Sequence, residues 1–122
     1  MSSDPEVQRW QRKYPRFPGV AECVRLITAR KAKGAWADII AEELAKNAAD
    51  CLPELITVYR ESSSEEVRLY VLMALEVARL PESVPLLAEV LNAGDLRFVP
   101  YAERTLQRID TREARAALWH RA

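Results

Sequence analysis

The chain repeats itself. Val20, Cys23, Val24 and Ile27 recur as Leu52, Leu55, Ile56 and Tyr59, and again as Val84, Leu87, Ala88 and Leu91, each copy 32 residues beyond the last. The spacing i, i+3, i+4, i+7 is one face of an α-helix. A second stripe follows each copy at an offset of 31: Trp36, Ile40 and Leu44, then Val67, Val71 and Leu75, then Phe98, Ala102 and Leu106. One helical hairpin cannot bury its own apolar faces, so two helices per unit at this period predict a stack of hairpins.

A chain of 122 residues forms one domain and buries roughly two-thirds of its unfolded surface. Its 49% apolar content excludes disorder as the dominant state. No apolar run approaches the ~20 residues that span a bilayer, and no charged-then-apolar leader opens the chain. The expectation is a cytoplasmic protein with no membrane partner. Cys23 and Cys51 sit on apolar helical positions without a nearby Cys or His to complete a metal site, and free thiols suit a reducing compartment. A disulfide between them stays open. No metal and no cofactor is expected.

The zero net charge hides a polarity along the chain. Residues 1–34 carry eight Lys/Arg against three Asp/Glu, residues 35–66 two against eight, residues 67–95 two against four, and residues 96–122 six against three. Alternation of this kind argues against a uniformly basic nucleic-acid surface and for partner-selective electrostatics.

Local signals set the element boundaries. Ser3-Asp4-Pro5-Glu6 predicts a short capping helix within residues 1–18, with Val7, Trp10 and Tyr14 on one side and Arg9, Arg12, Lys13 and Arg16 around it. Pro15 and Pro18 force an extended turn. The first hairpin is predicted over 19–33 and 36–48, with Gly34 as the left-handed residue after a helix end. The second begins near Asp50, which puts Pro53 in a first turn, and Ser62-Ser63-Ser64 caps its second helix. The third starts at Ser83-Val84-Pro85 and turns at Asn92-Ala93-Gly94-Asp95. Pro100 then demands a late start or a kink. Asp110-Thr111-Arg112-Glu113 is a capping box that opens a last helix within 111–122.

Leu52-Pro53-Glu54-Leu55, Glu65-Glu66-Val67-Arg68 and Ala74-Leu75 together resemble the HEAT repeat pattern: a proline-led first helix, a Val-Arg pair opening the second, and a later Ala-Leu. Val84-Pro85-Leu86-Leu87 is similar in the third unit, with Phe98-Val99 and Thr105-Leu106 as its later elements. The first unit matches more weakly, in Trp36-Ala37 and Glu43-Leu44. The resemblance covers residues 19–110. It implies an all-α, short right-handed α-solenoid of about three HEAT-like hairpins between N- and C-terminal capping helices. It also implies a binding scaffold whose second helices line a concave face.

The middle unit's second helix adds Leu69, Met73, Val77 and Leu80 to its packing stripe. The equivalents of Leu69, Met73 and Val77 are Asp38, Glu42 and Lys46 in the first unit and Pro100, Arg104 and Arg108 in the third. One lateral face therefore runs acidic, apolar, basic. Leu69, Met73 and Val77, flanked by Arg104 and Arg108, are the expected partner-binding residues. The partner is another protein or a second copy, unless Trp10, Tyr14 and Phe17 or Leu118 and Trp119 cover the strip. Nucleic-acid binding through the terminal basic clusters is the alternative, since Arg9-Trp10-Gln11-Arg12-Lys13-Tyr14-Pro15-Arg16-Phe17 mixes cations with aromatics. The bland reading of that run is a cap whose cations meet the acidic 38–66 region. Glu43 and Asn47, at packing positions, need partners, and an N-terminal arginine is the expected one. Catalytic machinery is scarce: the single His120 lies at the frayed end, and no phosphate loop or nucleophile motif is present. A carboxylate site of Asp38, Glu42 and Glu43 is the residual enzymatic option. The expectation is no catalytic residue and no enzyme.

Overall fold

The computed structural model describes residues 4–120, which are entirely helical and irregular, with no strand among them. Helix α1 spans Pro5–Lys13, α2 Val20–Thr28, α3 Ala35–Lys46, α4 Ala48–Glu61, α5 Glu65–Ala78, α6 Val84–Ala93, α7 Val99–Ile109 and α8 Arg112–Trp119. A single 3₁₀ turn, Pro81–Ser83, leads into α6. Among the described residues no helix is long and apolar enough to cross a membrane.

Side-chain caps start three of these helices. Asp4 accepts from the Glu6 amide, Ser64 from Val67 and Thr111 from Ala114, each filling a donor that the first turn leaves unpaired. Ser3, part of the expected first cap, lies outside the described residues. Pro100 falls at the second position of α7, so that helix starts late, as proline in a first turn allows. Gly94 ends α6 at φ 71° and Asp110 ends α7 at φ 52°, both left-handed.

Two expectations need correction. Gly34 does not follow a helix end. Helix α2 stops at Thr28, the left-handed residue after it is Arg30 at φ 60°, and Gly34 instead precedes α3 with φ 55° and ψ −133°. Pro53 is not in a first turn either. Helices α3 and α4 meet at Asn47 with no loop between them, which starts α4 at Ala48 and carries Pro53 into its second turn.

Both repeated stripes point inward. Val20, Cys23 and Ile27, Leu52, Leu55 and Tyr59, and Val84, Leu87 and Leu91 are buried, as are all members of the second stripe except the half-buried Trp36. Helices α3, α5 and α7 lie side by side in that order. Behind them α2 packs on α3, α4 on α5 and α6 on α7. Helix α5, packed between two like neighbours and against α4, buries six side chains, Val67, Tyr70, Val71, Leu72, Ala74 and Leu75. The ends are closed by α1 on α3 and by α8 on α6 and α7.

Candidate functional site

The row α3, α5, α7 leaves one large hollow, of about 660 Å³, toward the C-terminal halves of α3 and α5 and along α7. Ala41 and Ala45 of α3 and Ala78 of α5 make the depression, because a methyl leaves room that larger side chains on the neighbouring turns enclose. Met73 and Val77 of α5 and Tyr101 of α7 supply apolar walls. Val77 is 70% exposed, an unusual state for a valine on the central helix of a core. Glu42 and Lys46 stand on the α3 side, Glu76 and Arg108 on the α7 side.

Three of the expected contact residues, Met73, Val77 and Arg108, line this groove. Leu69 is half-buried and lies outside the lining, toward the other end of α5. Arg104 does not line it but backs two residues that do: its Nε and Nη2 donate to the Glu76 carboxylate at 3.1 Å, and its guanidinium sits 4.8 Å from the Tyr101 ring centre. Arg108 Nη1 donates to the same carboxylate. The Arg104 hydrogen bonds, opposed by partial burial, hold the Glu76 carboxyl below the usual range. Glu76 is thus the hinge of the basic wall, and it was missed because a single acid in an apolar helix reads as an ordinary exposed residue.

The chain's own aromatics do not cover the groove. Trp10, 4% exposed, meets Trp36 edge-to-face at 5.2 Å and Tyr14 at 4.6 Å, so α1 seals the first hairpin instead. Tyr14 donates its hydroxyl to Glu22, which also accepts two bonds from Arg25. These bonds bring the Glu22 carboxyl down to about 2. Leu118 is half-buried and Trp119 is 83% exposed, and neither lines the groove.

The polar residues of α3 also depart from expectation. Glu43 pairs with Lys46 at 3.8 Å on its own helix, not with an N-terminal arginine, and Asn47 Nδ2 donates to the Glu43 carbonyl. Glu42 lines both the groove and a smaller cleft beneath α1, Glu43 lines that cleft alone, and Asp38 lines neither, so the three carboxylates do not share one site. Among the described residues no group of His, Cys, Asp or Glu is arranged to hold a metal ion. Cys23 and Cys51 are both free, and burial pushes the Cys23 thiol up to about 12, away from nucleophilic use.

The two basic ends differ in a way composition hides. At the C-terminal end Arg97 pairs with Asp95 and Glu65, Arg104 and Arg108 with Glu76, and Arg115 with Asp110. At the N-terminal end Arg9, Arg12 and Arg16 make no ion pair among the described residues, and Arg16 meets the acidic 38–66 region only by lining the cleft beneath α1 with Glu42 and Glu43. Comparison with protein-family models, curated proteins and solved structures finds no match.

Proposed function

We propose that this chain is a protein–protein recognition scaffold: a short right-handed α-solenoid of three HEAT-like hairpins whose concave face, formed by α3, α5 and α7, seats a partner. It works as an adaptor, accessory subunit or inhibitor, in the cytoplasm, without a cofactor and without catalysis of its own. The observation that carries this reading is the groove beside Val77, apolar in its walls, open to solvent and left uncovered by both capping helices. The side-by-side order of α3, α5 and α7 supports the solenoid, because that is the adjacency stacked hairpins produce.

The occupant that fits is an amphipathic helix of another protein. Its apolar side chains enter between Met73, Val77 and Tyr101, each Leu-sized one contributing about 1.5–3 kcal/mol on full burial. Its flanks carry a base toward Glu42 and an acid toward Arg108. Met73→Glu and Val77→Asp test it. Both are expected to abolish complex formation, read by co-purification from the native host and by sedimentation, while far-UV circular dichroism is unchanged. Because Val77 is exposed, Val77→Asp separates a lost contact from a lost fold. Association that survives Val77→Asp, or Met73→Glu acting only by unfolding, removes the groove from consideration.

A further inference from the structure

A second surface, on the far side of Trp36 from the groove, has a different character. Between α1 and the α2–α3 turn lies a cleft of about 320 Å³ lined by Arg9, Arg30, Lys31, Lys33, Trp36 and Glu6. Its four cations are exposed, and among the described residues none of them makes an ion pair. Glu6, the one acid, has one carboxylate oxygen engaged: Oε2 accepts from the Ala35 amide at 3.0 Å, at the start of α3. Glu6 thus serves as a cap to a helix whose own preceding residue, Gly34, has no side chain to offer.

The backbone of the turn that carries these cations is hydrogen-bonded. The main-chain amide of Arg30 donates to the Ile27 carbonyl, that of Lys31 to Leu26, and that of Lys33 to Lys31, at 2.9 to 3.0 Å. The turn that presents them is therefore ordered before any ligand arrives. Trp36 donates its indole N–H to the Glu6 carbonyl at 3.0 Å, and its ring meets Trp10 edge-to-face. Its polar edge is used. What remains toward the cleft is half-buried aromatic surface, which offers stacking and nothing else.

We infer that this cleft binds single-stranded nucleic acid, one unpaired base against Trp36 and successive phosphates along Arg9, Arg30, Lys31 and Lys33. An aromatic platform among free cations matches what sequence-independent single-strand binding requires. Duplex is disfavoured, since its base faces are stacked internally and cannot reach the ring. An acidic protein segment would use the cations and leave the ring idle. The inference is independent of the groove on α3, α5 and α7.

The test uses the full chain with a fluorescent ten-nucleotide thymidine oligomer, read by anisotropy and by tryptophan quenching between 20 and 200 mM salt. Four neutralised phosphates predict a slope of log affinity against log salt of about −3. Lys31→Glu with Lys33→Glu should weaken binding at least about tenfold, and Lys31→Ala with Lys33→Ala by less, both with unchanged circular dichroism. Trp36→Phe should retain part of the affinity, and Val77→Asp all of it. The inference is overturned if the oligomer does not bind at 20 mM salt. Equal binding of polyglutamate of matched charge, tighter binding of the duplex, or indifference to the lysine substitutions overturns it as well.

Discussion

Gly34 shows how much one missing side chain settles. Its φ of 55° with ψ of −133° belongs to glycine, and a Cβ built there would lie 2.8 Å from Glu6 Oε2. The same carboxylate caps α3 through the Ala35 amide. Gly34→Ala therefore imposes backbone strain and displaces the cap together, and should destabilise the fold by about 1–3 kcal/mol. Gly19 supplies the control: its φ is 102°, yet nothing lies within 4 Å of a Cβ there, so Gly19→Ala feels strain alone. Chemical denaturation of Gly34→Ala, Glu6→Ala and the double variant measures the coupling. If the two substitutions are additive, Gly34 and Glu6 do not act as one unit. The sequence could not announce this pair, because a glutamate 28 residues before Gly34 has no local signature of a cap. Proximity made it one.

At the scale of helices, the repeat was legible because burial enforces it. A 3.6-residue period survives in sequence wherever one face must be dry, and stripes separated by 31 or 32 residues became α2 through α7. Junctions were harder. Asn47 serves at once as the C-terminal cap of α3 and the N-terminal cap of α4, and no Gly- or Pro-rich signal marks a connection one residue long. The consequence is Pro53 in a second turn, where it cannot donate to the Ala49 carbonyl. Pro53 is exposed. Pro53→Ala restores the donor without disturbing core packing, and is expected to stabilise the protein by about 1 kcal/mol or more, offset in part by a freer unfolded chain. A lower denaturation midpoint in the variant would mean that the fixed φ of the proline stabilises the chain by more than the missing hydrogen bond costs. The strip expected to bind a partner divided along the same line. Met73 and Val77 followed from periodicity, whereas the diversion of Arg104 to Glu76 depends on where two helices face each other.

For the whole molecule, charge placement sets how acid acts on it. Glu22 ties α2 to Tyr14 beyond α1, Glu76 ties α5 to α7, and Asp95 holds Arg97 at the entrance to α7. Each carboxyl sits below its ordinary value in the folded state. Glu22 and Asp95 are at about 2, held there first by side-chain hydrogen bonds from Arg25 and Arg97, and Glu76 is lowered first by Arg104. A group with a depressed folded pKa contributes stability that is complete above its unfolded value and is lost as pH falls toward the folded one. Melting temperature should therefore hold steady from neutrality to about pH 4.5 and fall between there and about pH 2. At the opposite extreme Cys23, pushed up to about 12 by burial, contributes stability that disappears as pH rises from about 9 toward 12. Because the three acids serve different junctions, losing one should loosen its own contact and spare the others. Glu22→Gln should flatten part of the acid limb and release α1, read as increased exposure of Trp10 in fluorescence, while the packing of α5 on α7 is unchanged. An acid limb identical in Glu22→Gln and the parent chain would show that Glu22 is not among the groups whose protonation opens the fold.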